Sequence, residues 1–128
     1  MNSKILIYTR DWFEGYYGKL QAEIEKNSEF EVVRFSDYSV NGAIDFRRHA
    51  IKLRDDLNNH KTSIDHNKCF NDIISRDRLL RTLDNNEALL RVKSYYKCFS
   101  DYLSRNNIKL VVSATIDQYF IDIVYLLC

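Results

Sequence analysis

Three stretches of this 128-residue chain bring together side chains that could do chemistry. Thr9, Arg10, Asp11 and Trp12 close the apolar run KILIYT and follow it. Ser36 and Asp37 stand after FEVVRF, and Ser113, Thr115 and Asp117 after IKLVVSA. If the three runs are strands of an open α/β sheet, these residues sit at carboxyl ends, where ligands bind in such sheets. A crevice lined by small hydroxyls, carboxylates and one arginine suits a polyol or a sugar. The plainer reading is that Asp, Ser and Thr at strand ends cap the helices that follow. Trp12, directly after a buried run, is not ordinary turn chemistry.

A second candidate is ISRDRLLRTLD, with Arg76, Asp77, Arg78 and Arg81. Continuous helix over this stretch would put Asp77 and Arg81 at i, i+4. Such a pair contributes only about 0.2–0.5 kcal/mol, as expected of a solvated charged face. The cluster is nevertheless net positive, and guanidinium forks suit phosphate or carboxylate recognition. Both readings stand on the sequence.

Other site types lack their signatures, and no cofactor is expected. Gly15 and Gly18 are spaced G-x-x-G after a bulky DWFE, short of the dinucleotide fingerprint, although Asp37 falls where a ribose-binding acid would. There is no P-loop. The paired acids of a receiver domain are missing from IYTRDW. His60, His66 and Cys69 have no fourth ligand at a metal-site spacing. His49 is expected to be a partly exposed structural residue. Cys69, Cys98 and Cys128 form no C-x-x-C and are expected as free thiols in a reducing compartment.

The elements that would position these residues can be placed by pattern. KILIYT (4–9), FEVVRF (30–35) and IKLVVSA (108–114) are near-continuously apolar, as strands buried on both faces of a parallel sheet are. Between the first two, Tyr17, Leu20, Gln21 and Ile24 have helical spacing and Asn27 ends the helix. Phe46, Ala50, Leu53 and Leu57 share one helix face. The segment 58–68 is polar and aperiodic, a long loop. Asp84 and Glu87 have capping-box spacing ahead of the stripe Ala88, Val92, Tyr95, Tyr96, Phe99, Tyr102 and Leu103. Thr115 and Gln118 have the same spacing ahead of YFIDIVYLLC. The order β-α-β-α-loop-α-α-β-α predicts a single three-layer Rossmann-like α/β domain over 1–128, with a small, mostly parallel sheet flanked by helices. The final helix is apolar nearly all round and requires a cover.

The totals narrow the function. A net charge of +1 gives no broad footprint for nucleic acid or an anionic membrane. No apolar run approaches the roughly 18–20 residues of a membrane span, and the start lacks the form of a signal peptide. A cytoplasmic protein is expected. The absence of proline, with many Asn, Lys and Ile residues, suggests an AT-rich genome.

Taken together, the KILIYTRDW opening, the Arg76-Asp77-Arg78-x-x-Arg81 run, Glu87 and Ala88 in the next helix, and a strand leading into Ser113, Ile116, Asp117 and Tyr119 form a pattern. It resembles the N-terminal half of bacterial capsule and lipopolysaccharide biosynthesis proteins, surface-polysaccharide glycosyltransferases of GT-B-like architecture. The likeness is strongest over about residues 70–128. It implies a longer protein with two Rossmann-like domains, the nucleotide-sugar donor held mainly by the second and the sugar acceptor by the first. This chain has no such second domain, so it would not be catalytic alone. In such a protein, strand-end position and charge make Asp11 or Asp117 the candidate base toward the acceptor hydroxyl. Arg10, Arg76, Arg78 and Arg81 would hold anionic groups, with Trp12, Ser113 and Thr115 lining the substrate site. Residues 119–128 would then be covered by the missing C-terminal domain. The alternative is a small non-enzymatic interaction module that self-associates through the same helix.

Overall fold

A computed structural model of the chain describes residues 2–10, 14–113 and 118–128. Strands β1 (Lys4–Tyr8), β2 (Glu31–Ser36), β3 (Ile44–Asp45) and β4 (Ile108–Val112) form one sheet in the order β3-β2-β1-β4. Every pairing in it is parallel. Helices α1 (Glu14–Asn27), α2 (Phe46–Asn58), α3 (Cys69–Arg76), α4 (Asn85–Arg105) and α5 (Tyr119–Leu127) complete a Rossmann-like α/β fold, a small parallel sheet flanked by helices. The residues group into two compact units, 1–47 with 102–114, and 48–101 with 115–128.

In the first unit the sheet has two distinct faces because strand side chains alternate. Ile5 and Ile7 of β1 and Val32 of β2 are buried with Tyr17, and Leu20, Ile24 and Val112 pack against them, so this face carries α1. Tyr8 and Phe35 point the other way. Their rings meet edge-on at 5.6 Å, Phe35 meets Phe46 at 5.9 Å, and Phe46 meets Tyr102 at 5.6 Å. The N-terminal residue of α2 and the last turn of α4 thereby cover the second face. Leu6, Ile7 and Tyr8 are completely buried, which explains why β1 is apolar without alternation.

The sequence predicts three strands, and the described residues form four. β3 is two residues long and carries no β-rich run, so pattern alone could not find it. Residues 37–43 bring it alongside β2 through a turn in which the Ala43 N–H donates to the Val40 carbonyl at 3.1 Å. Gly42 holds φ +75 there, and a β-carbon on it would collide with the Arg34 guanidinium. Gly42→Ala is therefore expected to lower the unfolding free energy by about 1–2 kcal/mol, the cost of a left-handed residue with a side chain. Urea denaturation measures it, and an unchanged midpoint would contradict this account of the turn.

The second unit packs on aromatic rings from α3, α4 and α5. Phe70 meets Tyr96 at 5.1 Å, and Tyr95 and Phe99 meet Phe120 at 5.0 and 6.3 Å. Asp84 caps α4, its Oδ1 accepting from the N–H groups of Asn86 (2.8 Å) and Glu87 (3.4 Å). The Glu87 carboxylate turns instead to Arg91 (3.0 Å) and Arg54 (3.6 Å).

Two expectations change here. Helix α3 stops at Arg76, Asp77 is extended (ψ 132), and only a 3-10 turn over Leu80–Thr82 follows. Arg76, Asp77, Arg78 and Arg81 thus do not share one helix. The cover expected for residues 119–128 from another domain or subunit is supplied in part by this chain. Phe120, Ile121, Ile123 and Val124 are buried, while Tyr125 stays 73% exposed. No helix among the described residues is long and apolar enough to cross a membrane.

Candidate functional site

The chain leaves β1 toward β2 on one side and returns as β4 on the other, so the topological switch lies at β1. Sheets of this kind bind ligands at the carboxyl ends of the strands beside such a switch. The described residues there are Thr9 and Arg10 after β1, Ser36 and Asp37 at the end of β2, and Ser113 after β4. All belong to the first unit. Asp11, Trp12, Thr115 and Asp117 lie outside the described residues.

On the Phe35 side of the edge, Tyr8 donates its hydroxyl to Asp37 Oδ1 at 2.7 Å. Arg10 lies over the Tyr8 ring, its guanidinium carbon 5.7 Å from the centroid. Burial pushes the Asp37 carboxyl above the ordinary carboxylate range, while the Tyr8 hydrogen bond, its own backbone and the charges of Arg10 and Arg47 pull it back. Burial, and then the Asp37 charge and hydrogen bond, push the Tyr8 phenol well upward, so it keeps its proton and remains a donor. The result is a carboxylate set between one neutral donor and two cations.

This environment makes a pH prediction with a definite sign. A carboxyl whose folded pKa is raised binds protons more readily in the folded state. Its contribution to stability is therefore present at low pH and declines as pH rises from the unfolded value near 3.8 through the folded one. Asp37→Asn should flatten that decline in urea unfolding followed from about pH 4 to neutrality. Tyr8→Phe removes the largest lowering influence and should carry the decline to higher pH. Parallel curves for all three proteins would refute the assignment.

On the α1 side of the same edge the ladder continues one step past β1, where the Thr9 N–H donates to the Phe35 carbonyl at 2.9 Å. Thr9 and Ser36 are consequently neighbours across the strands, one step beyond the Tyr8–Phe35 pair. Both are completely buried, and neither hydroxyl has a hydrogen-bond partner among the described residues. The Arg34 Nε, two residues back on the same face, is likewise buried without a partner.

The arginine cluster belongs to the second unit and is organised around its aspartate. Asp77, 8% exposed, accepts through Oδ1 from the Leu79 (2.9 Å) and Leu80 (2.8 Å) N–H groups, and through Oδ2 from the Tyr119 N–H (2.8 Å). A side chain that binds the backbone two and three residues on competes with helix continuation, which is why α3 ends there. Gln118 is the N-cap of α5 but makes no side-chain cap bond, so Asp77 performs that task from a distance. Arg76 pairs with Asp122 at 3.2 Å and is 61% exposed on its side chain, so the pair contributes little. Arg78 and Arg81 are exposed.

A concavity of about 360 Å³ in this unit is lined by Asp65, His66, Lys97 and Asp101 among others. Lys97 and Asp101 satisfy each other at 2.9 and 3.0 Å, so the cleft's lysine is already committed. Among the described residues no group of three or more His, Cys, Asp or Glu side chains could hold a metal ion.

Sequence reasoning placed Ser36 and Asp37 at this edge but missed Tyr8 and Arg34. Both lie inside apolar strand runs, where an aromatic and an arginine read as core and stem. The usable signal was register, since Tyr8 immediately precedes Thr9 and Arg34 sits two residues before Ser36. Comparisons with protein-family models, curated proteins and solved structures found no match for the chain.

Proposed function

We propose that the carboxyl edge of the sheet binds a small hydroxyl-rich ligand of the sugar or polyol class. The observation that carries this reading is the pair of fully buried hydroxyls on Thr9 and Ser36, partnerless among the described residues, at the same edge as a carboxylate on the opposite face that already holds one hydroxyl, that of Tyr8. Buried polar groups are nearly always satisfied, so two orphans on neighbouring strands at a ligand edge point to an occupant. Asp37 accepts from sugar hydroxyls as it accepts from Tyr8, and Arg10 bounds the site. The finer reading is an acceptor-side domain of a surface-polysaccharide glycosyltransferase-like protein, inactive alone, with Asp11 or Asp117 as base. It rests on the sequence resemblance, and the hydroxyl-lined edge is compatible with it.

The test is an amide NMR titration of the whole chain with a panel of neutral monosaccharides. Saturable shifts confined to residues 9–10, 36–38 and 113, and lost in Asp37→Asn, are expected. Absence of saturable shifts, or shifts elsewhere, would overturn the sugar reading.

A further inference from the structure

The two outer strands of the sheet, β3 and β4, differ. β3 is two residues long, too short to serve as a template for another strand. β4 runs for five residues, IKLVV, and pairs with β1 alone among the described residues. Of the three longer strands it alone has no buried residue. Backbone alternation gives the groups that face outward. The Ser3 carbonyl accepts from Glu31 and the Thr9 N–H donates to Phe35, so the odd-numbered residues of β1 point to β2. The even-numbered ones, with Lys4 donating to the Asn107 carbonyl, point to β4. A residue in a parallel ladder bonds to the two neighbours of its partner. Leu6 stands beside Val111, so Leu110 and Val112 carry the bonds to β1, and the Val111 N–H and carbonyl face away from it. Neither makes another hydrogen bond among the described residues. Leu110 stands beside Ile5 on the face that carries α1, where Ile5, Ile7 and Val112 are packed, yet it is 53% exposed. Unpaired backbone beside an exposed apolar side chain is a ready template for a further strand.

We propose that β4 pairs antiparallel with β4 of a second copy of this chain, about a two-fold axis at Val111, joining the two sheets into one. An antiparallel strand at the edge of a parallel sheet is common. In this register Val111 exchanges both hydrogen bonds with its own copy. Leu110 falls opposite Val112 of the second copy on the same face, which covers the exposed leucine. Lys109, the only charged residue of the strand, falls opposite the neutral Ser113 of the second copy and well away from the other lysine. An axis at Lys109 would set the two lysines face to face, so the lysine selects against that register. Self-complementarity favours a second copy over an unrelated extended segment: the apolar positions exchange with each other, and the charge meets none of its own sign. The pairing is independent of the ligand reading of the carboxyl edge.

Sedimentation equilibrium of the whole chain, from dilute to concentrated solution, tests the pairing together with amide hydrogen exchange. A monomer–dimer equilibrium is expected, with the Val111 amide protected only at high concentration and those of Leu110 and Val112 protected throughout. Leu110→Lys, at a position exposed enough to leave the fold intact, should weaken association about tenfold or more, because a two-fold contact loses the leucine twice. Tyr125→Ser, on the exposed residue of α5, should leave association unchanged. Val111→Cys should give a disulfide-linked dimer on mild oxidation beyond any that the unchanged chain forms through Cys128, since residues facing each other in a hydrogen-bonded pair have Cα atoms about 5.5 Å apart. A chain that stays monomeric at every concentration overturns the proposal. So does a dimer that survives Leu110→Lys but is lost in Tyr125→Ser, which would place the contact on α5, and so does a dimer whose Val111 amide exchanges as fast as in the monomer.

Discussion

Asp77→Ala is expected to destabilise the fold by about 3–5 kcal/mol, a large share of what a domain of this size has. The carboxylate is buried and satisfies three backbone donors at 2.8–2.9 Å, two in its own turn and one at the start of α5. Truncation leaves those N–H groups without an acceptor in a place water reaches poorly. Hydrogen bonds to a charged group are worth about 1.5–3 kcal/mol each, and partial hydration of the exposed turn brings the sum down. Asp77→Asn keeps an oxygen for Leu79 and Leu80 but turns an amide NH2 toward the Tyr119 N–H, so a smaller loss, about 1–2 kcal/mol, is expected. Arg78→Ala and Arg81→Ala, on exposed neighbours, should stay within about 0.5 kcal/mol. Urea denaturation of the four variants is sufficient. If the arginine variants cost as much as Asp77→Ala, the cluster is held together by its charges and not by the aspartate.

That contrast also shows where sequence reading succeeds and fails. The Arg-Asp-Arg spacing is compatible with i, i+4 pairing, and nothing local reveals that a segment 42 residues later needs an acceptor. Long-range capping is invisible to periodicity. The same limit explains β3, whose Ile44–Asp45 pairing exists only because the 37–43 connection lays it beside Phe35 and Ser36. Features set by burial over a full element were legible. The unbroken apolar runs gave β1, β2 and β4, the stripe from Ala88 to Phe99 gave α4, and Asn27 and Asp84 marked true helix ends. At the candidate site the sequence could name the polar residues after each strand. It could not tell which faced α1 and which faced Phe46, because that depends on register, and register separates the Tyr8–Asp37 pair from the Thr9–Ser36 pair. The apolar last helix was legible as needing a cover, but its neighbours in α3 and α4 were not, since ring contacts such as Tyr95–Phe120 join distant parts of the chain.

Thr9→Val and Ser36→Ala are expected to move stability the other way, raising it by about 1–3 kcal/mol each in the absence of ligand. Most substitutions at fully buried positions destabilise, so the sign is the diagnostic part. A buried hydroxyl with no partner has lost its water without replacement, and an apolar group of the same shape removes that penalty. Thr9→Val conserves shape, whereas Ser36→Ala deletes one atom and gives back part of the gain through a small void. The expected gain is therefore larger at Thr9. A protein that keeps two such residues at the edge of its sheet holds stability in reserve for whatever binds there, the usual exchange at functional sites. Chemical denaturation of both variants, with the sugar titration repeated on each, separates the alternatives. Higher stability, combined with loss of the sugar-induced amide shifts, would tie both hydroxyls to the ligand. Lower stability in both variants would mean that the hydroxyls are satisfied in solution, and the edge would lose its strongest claim to be a site.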